Sequence, residues 1–276
     1  MRIVKLNLAR NCIKYLIRTY GINEIFVPYY TCQTVWNAIR EAGCKVLFYH
    51  IDKNFLPQNE FPKDAYIIYT NYFGLCSKNC RKLSDKYKNL IVDNTHAFYE
   101  NQSGLASFCS LRKFFDVPSG AFLYTEKISE ENFAQDNLDL SPVKFHKNYT
   151  KFVQNELALN REKSIKTISK NCENLFKKTN FEKDKSTRIY LFKEYEKIFK
   201  KDNYIKLTLN DGEIPYCYPF CPDKDFYKEN ILKNNIILLK LWKNYPQKFS
   251  ESKLNNTVAL PLTDVDYAEK IMKIFR

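Results

Sequence analysis

No stretch of the sequence approaches the roughly 18 consecutive uncharged apolar residues that a membrane-spanning helix needs, so no span is expected. The opening segment, MRIVKLNLARNCIKYLIRTYG, is broken by charge throughout and has no small-residue cleavage site. A secretory leader is therefore not expected, and the chain reads as cytoplasmic. The nine cysteines, Cys12, Cys32, Cys44, Cys76, Cys80, Cys109, Cys172, Cys217 and Cys221, include no C-x-x-C pair. Neither a disulfide framework nor a zinc ribbon is indicated, and no metal is expected. Helix-turn-helix, RNA-binding and zinc-finger patterns are also missing. The net charge of +13, from 44 Lys and Arg against 31 Asp and Glu, thus lacks the company that would make it a nucleic-acid surface. Runs such as Lys177-Lys178 and Lys200-Lys201 read as solvated helix faces. Internal repeats and low-complexity linkers are absent too.

What is present is a large apolar and aromatic content: 45% hydrophobic, with 20 Tyr and 21 Phe among 276 residues. That composition excludes the disordered class and allows one large core, or a large and a small unit. Over residues 1–126, short apolar strands alternate with helical patterns, as in a βαβ series. The pattern predicts a helix over Arg10–Tyr20, a strand at Ile25–Pro28, a helix over Thr34–Ala42 and a strand at Lys45–His50. It then predicts a strand at Tyr66–Thr70, a helix around Lys78–Tyr87 and strands at Leu90–Asp93, Ser107–Ser110 and Ala121–Tyr124. The fold expected is α/β, a mainly parallel sheet with helices on both faces. Residues 127–201 turn polar and helical in period and read as a connecting arm, with Pro142 near the start of a long helix. Residues 202–276 read as a smaller α+β unit, with strands at Tyr204–Leu209, Pro215–Pro219, Ile236–Leu239 and Thr257–Leu260 and helices at Lys224–Asn234 and Val265–Phe275.

Two strand ends carry the candidate chemistry. Asp93 closes an apolar strand, and Lys113, 20 residues on, follows the next strand after Ser110-Leu111-Arg112. Open α/β sheets bind ligands at the carboxyl ends of their parallel strands. An acid and an amine placed there suit a cofactor with a pyridine nitrogen to protonate and an aldehyde to trap. His96 adds a ring three residues beyond Asp93. Taken singly these residues have plainer readings: a surface lysine, a helix-capping aspartate, a hydrogen-bonded loop histidine. It is their conjunction that points to a site.

The same residues lie within a longer ordered set. Phe26-Val27-Pro28-Tyr29-Tyr30-Thr31-Cys32, a helix, Gly43, and Val46 through Asp52 resemble the opening stretch of DegT/StrS-type sugar aminotransferases, which have the type I pyridoxal-phosphate fold. Asn71-Tyr72-Phe73-Gly74, Asp93-Asn94-Thr95-His96-Ala97 and Ser110-Leu111-Arg112-Lys113 are similar to that family's turn, acidic strand end and serine-to-lysine loop. Ile214-Pro215-Tyr216, Leu241-Trp242 and Leu260-Pro261-Leu262 resemble its later landmarks. The resemblance implies pyridoxal 5'-phosphate as cofactor, with Lys113 as the Schiff-base lysine and Asp93 as the partner of the ring nitrogen. It further implies His96 at the ring, Ser110 and the amides near Ala9 and Arg10 at the phosphate, and Thr31 and Asn71 close by. The activity implied is transfer of an amino group, typically from glutamate, to a keto group of a nucleotide-linked sugar or related phosphorylated compound, in glycan or polysaccharide biosynthesis, by a homodimer. A lyase or dehydratase on the same fold, a non-catalytic relative and a basic nucleic-acid binder are the alternatives. Lys113 argues against the lysine-free dehydratases. Two departures stand out: Asn7-Leu8-Ala9-Arg10-Asn11 replaces the family's small-residue phosphate turn, and both the Asp93–Lys113 interval and the chain are shorter than usual.

Overall fold

Strands β4 (Ile67–Thr70) and β5 (Leu90–Asp93) are buried at every position, as expected of central parallel strands covered on both faces. The computed structural model describes residues 1–222, 234 and 236–275. The other strands of the main sheet are β1 (Arg2–Leu6), β2 (Glu24–Pro28), β3 (Lys45–Tyr49), β6 (Ala106–Ser110) and β7 (Ala121–Thr125). Their order is β1-β7-β6-β5-β4-β2-β3. The five strands from β3 to β6 run parallel, whereas β7 is antiparallel to β6 and to the edge strand β1. The sheet is thus mainly parallel, as the sequence pattern predicts, with an antiparallel margin that the pattern does not reveal.

The two-residue period of the strands divides the interior. Ile68 and Ile91 face a core built with Cys12, Ile13 and Leu16 of α1 (Ala9–Tyr20) and Val35, Ala38 and Ile39 of α2 (Gln33–Glu41). Ile67, Tyr69, Leu90 and Val92 face the opposite core, closed by Cys80 and Leu83 of α3 (Ser77–Lys86). α1 stops at Gly21, whose φ of 66° is the left-handed cap that glycine adopts without strain. Gly74, at φ 79°, has a different reason: a Cβ there would sit 2.4 Å from the carbonyl oxygen of His96. The loops that follow β4 and β5 touch at that point.

A second, antiparallel sheet has the order β8-β10-β9, from Cys217–Phe220, Val258–Pro261 and Leu239–Lys240. Between the sheets come α4 (Leu111–Phe114), α5 (Tyr149–Arg161), α6 (Lys170–Lys177) and α7 (Phe181–Phe199), and α8 (Val265–Phe275) follows β10. α7 packs against α8 and β8, so the last helix of the expected arm lies on the small sheet. One core joins Tyr30, Tyr69 and Tyr72 to Leu191, Tyr195, Leu260 and Met272.

Three expectations need correction. Residues 126–148 contain no helix, and α5 begins seven residues after Pro142, where the Asn148 side chain accepts the Lys151 amide at 2.9 Å. Residues 204–209 form no strand: pairing stops at the Asn203–Pro222 bridge and the Tyr204 amide to the Cys221 carbonyl at 2.8 Å, where the Asn203 side chain takes the amides of Ile205 and Cys221 at 3.1 and 2.9 Å. The strand expected at 236–239 is reduced to Leu239–Lys240. The helix expected over 224–234 falls on residues outside those described, apart from Asn234.

Candidate active site

β5 and β6 pair in parallel with Asp93 opposite Phe108, which sets their carboxyl ends side by side. Asp93 is 3% exposed, and its Oδ1 accepts the Thr95 amide at 2.9 Å. Burial pushes its carboxyl pKa up, opposed by the Lys113 ammonium and by the Thr95 hydroxyl and amide. Lys113 stands on the single turn of α4 directly after β6, and its Nζ donates to Thr95 Oγ1 at 3.3 Å and lies 5.7 Å over the Tyr216 ring. Burial pushes the amine pKa down and Arg112 adds to the shift, against the pull of Asp93, Cys32 and Glu156. No ion pair within 4 Å joins Asp93 to Lys113 among the described residues. Both instead line a cavity of about 140 Å³. A buried carboxylate and a buried amine that are held apart attract each other without direct contact, so only part of their desolvation is offset. The cavity leaves room for a group that meets both side chains.

The other wall of this cavity suits an anion. Leu8, Ala9 and Arg10 line it at the start of α1, and Cys32 and Thr34 at the start of α2, Leu8 and Cys32 being the capping residues. Neither helix has a side-chain hydrogen bond at its N-cap, so two helix N-termini present free amides and partial positive charge. Leu8 is extended, at φ −142° and ψ 144°, a conformation open to any residue. The missing glycine of the phosphate turn is therefore not needed to enter α1. Ser110 lines the cavity as well, and its hydroxyl has no hydrogen bond among the described residues. Arg10 reaches Asn160 Oδ1 at 2.8 Å and the Leu159 carbonyl at 3.4 Å, and burial, then Arg112, push its pKa down.

A larger cavity of about 520 Å³ adjoins this one, and Cys32, Arg112, Lys113 and Glu156 line both. His96 lines the larger cavity and not the smaller. Its ring stacks on Tyr216 at 4.4 Å and on Trp242 at 5.0 Å, while burial and Lys113 hold its pKa well below the usual value, so it is neutral. Trp242 has a φ of 40°, a left-handed conformation that is strained for an aromatic residue. Thr31 and Asn71 reach neither cavity. Thr31 shares a hydroxyl contact of 3.1 Å with Thr70 and accepts the Asn244 amide on its carbonyl. The Asn71 side chain is occupied by Ser77, Asn94 and the Cys76 amide.

Sequence reasoning leaves out four residues that the geometry brings in. Thr95 bridges the acid and the amine. Glu156, on α5, pairs with both arms of Arg112, at 2.5 and 3.2 Å. The Arg188 guanidinium, 0% exposed, donates to the carbonyls of Phe114, Pro215 and Tyr216 and to Asp184, and stacks on the Phe114 ring. His146 pairs with Asp264 at 3.0 Å on the wall of the larger cavity. Only Thr95 carries a local signal, since a residue two beyond a strand-ending Asp commonly returns its amide to that side chain.

No family model matches this sequence, and no curated protein resembles it in sequence. Solved structures do match in shape. The Escherichia coli GDP-4-keto-6-deoxy-D-mannose-3-dehydratase with bound hydrated PLP superposes with a TM-score of 0.68 at 14% identity, over 100% of this chain and 88% of that one. Helicobacter pylori PseC, an aminotransferase involved in the biosynthesis of pseudoaminic acid, gives 0.62 at 18%, over 100% and 87%. NtdA from Bacillus subtilis with bound PMP gives 0.63 at 11%, over 100% and 72%. The chain has the fold of these proteins.

Proposed function

We propose that this chain is a pyridoxal-phosphate-dependent aminotransferase of the sugar-aminotransferase type, with Lys113 as the covalent anchor of the cofactor. The observation that carries this reading is the buried Asp93 carboxylate and the Lys113 amine facing one small cavity without pairing. The residues fit the group. Asp93 suits a protonated ring nitrogen, the uncapped starts of α1 and α2 with Ser110 and Arg10 suit a phosphate, and Lys113 suits an aldehyde. When bound, the cofactor supplies a carbonyl to trap an amine and a cationic ring to accept negative charge from the carbon losing its proton. Asp93 keeps the proton on that ring nitrogen. Lys113, whose lowered pKa raises its share of free amine, takes the proton from the substrate carbon and returns it. Thr95 fixes both groups by accepting from Lys113 and donating its amide to Asp93. His96, neutral in its aromatic stack, shapes the wall without adding charge.

The donor in this reading is glutamate, and the acceptor is a keto group on a nucleotide-linked sugar or related phosphorylated compound that feeds glycan assembly. Lys144, Lys240 and Lys243 line the larger cavity with Asp116, which pairs with Lys144 at 3.4 Å, and the remaining excess of basic over acidic side chains favours an acceptor that carries negative charge. No disulfide joins the nine cysteines, all but Cys32 of them buried, in agreement with a reducing cytoplasm. Tyr149, Val153 and Leu157 are exposed at i, i+4, i+8 on α5, an apolar stripe of the kind that a second copy covers in a homodimer. A cofactor-bound monomer by sedimentation at micromolar concentration would remove the dimer.

The deciding experiment uses the purified protein, which should absorb in the visible and lose that absorbance on addition of glutamate. Borohydride reduction and peptide mapping should place the cofactor on Lys113. Mapping to another lysine, or no bound cofactor, refutes the assignment.

A further inference from the structure

Arg112 is the residue before Lys113, lines both cavities, and already grips a carboxylate. Its two guanidinium arms meet the two oxygens of Glu156 at 2.5 and 3.2 Å, the fork-to-fork geometry in which arginine reads a planar carboxylate. The partner comes from another part of the chain. Glu156 sits on α5, 44 positions away in sequence, and the same helix ties down Arg10 through Asn160 and the Leu159 carbonyl. α5 therefore lies against the wall shared by the two cavities and puts one carboxylate beside two arginines. Those arginines repel one another enough that Arg112 helps push the pKa of Arg10 down, while Glu156 works in the opposite direction.

The ion pair is only partly buried, with side chains 25% and 31% exposed. A pair so placed is weak and exchangeable, since solvent screens it on one side. We propose that Arg112 is the receptor for a carboxylate of the amino donor, and that Glu156 is a resident stand-in which the donor displaces. This inference rests on the aminotransferase reading above. A donor must bring its amino nitrogen to Lys113, and a carboxylate bonded to the same carbon as that nitrogen then falls within the compass of the neighbouring arginine. Keeping a carboxylate on Arg112 in the resting protein spares it an unpaired guanidinium at the cavity wall. It also sets a threshold, because only an anionic ligand such as a carboxylate can replace what it removes. A neutral amine donor has nothing to offer Arg112 and leaves α5 where it is.

The test is binding of 2-oxoglutarate, the product of the donor, to the purified holoenzyme by calorimetry. Glu156→Gln removes the competitor and retains the shape, so affinity should rise roughly threefold to fivefold, the scale of a partly exposed ion pair. KM for glutamate should fall by a similar factor. Arg112→Lys keeps the charge without the fork and should weaken binding by roughly tenfold. A purely structural latch makes the opposite prediction for Glu156→Gln: a loosened α5 and weaker binding. If Glu156→Gln binds 2-oxoglutarate no more tightly than the wild type, or if Arg112→Lys binds it equally well, the inference fails. Visible absorbance and the mapped lysine, read in the same preparations, report on the cofactor site separately. Intact absorbance with no Glu156 effect removes only the carboxylate receptor, and absent absorbance removes the aminotransferase reading itself.

Discussion

Replacing Arg188 by methionine should cost the protein about 4 kcal/mol of stability, near the middle of the range for removing one member of a buried ion pair. The figure follows from what the substitution strands. Asp184, 15% exposed, would keep only the Tyr99 hydroxyl at 2.9 Å, and the carbonyls of Phe114, Pro215 and Tyr216 would lose donors now at 2.9, 3.3 and 3.0 Å. Each stranded acceptor costs about 1–3 kcal/mol if water does not reach it, and the partial exposure of Asp184 brings the sum down. Against a total stability of about 5–15 kcal/mol for a domain, the loss is large, and it corresponds to a fall of about 8 °C in melting temperature. Phe114 follows Lys113, and the Tyr216 ring underlies the Lys113 amine at 5.7 Å. The same substitution should therefore weaken cofactor retention as well. Arg188→Lys should fall in between, since an ammonium can keep Asp184 but cannot span three carbonyls. Urea unfolding with and without added pyridoxal phosphate measures both effects. A methionine variant within about 1 kcal/mol of the wild type would show that water replaces the guanidinium, and the reasoning would fail.

Asp93→Asn keeps the shape and removes the charge, so the glutamate half-reaction, followed by absorbance, should slow by about two to four orders of magnitude while cofactor binding suffers less. Conversion at the wild-type rate would make Asp93 a structural residue. For His96, held neutral with a pKa well below 6.5, the unfolded chain gains a proton below that pH that the folded chain refuses. Stability present above about pH 6.5 is then lost as the pH falls, by up to about 1.4 kcal/mol per unit. His96→Gln should flatten the curve of melting temperature against pH from about pH 8 down to about pH 5, and identical slopes would contradict the assignment.

The parts of the fold that were legible in the sequence are those whose cause is local. α1 and α2 show their buried faces as helical periodicity, and β4 and β5 show theirs as unbroken apolar runs. Asp93 stands out because it ends such a run, and Lys113 because it comes three residues after the next strand. β1 gave no such signal: its pattern is largely exposed, and it is a strand because β7 offers it an edge. Residues 204–209 are the opposite case: they carry apolar alternation but pair only at their first residue, beside Asn203. Glu156 is invisible because Arg112 lies 44 positions away, and Arg188 because the carbonyls it holds, beyond Asp184 one turn back, lie 27, 28 and 74 positions away. In sequence, each is one more charge on a polar helix. For His96 the sequence gives a position just beyond β5 but not the stack it joins, which depends on Tyr216 and Trp242 from much later in the chain.

The core that joins Tyr30, Tyr69 and Tyr72 to Leu260 and Met272 has a consequence for synthesis. Because its last apolar members come from β10 and α8, a ribosome must have released α8 before that aromatic face of the main sheet can close. The opposite face, packed by α1 and α2, is complete once β7 has emerged, apart from Phe133 and Ile165. A nascent chain paused after α7 is therefore half-clad, with one side folded and the other presenting tyrosines and phenylalanines to any chaperone in reach.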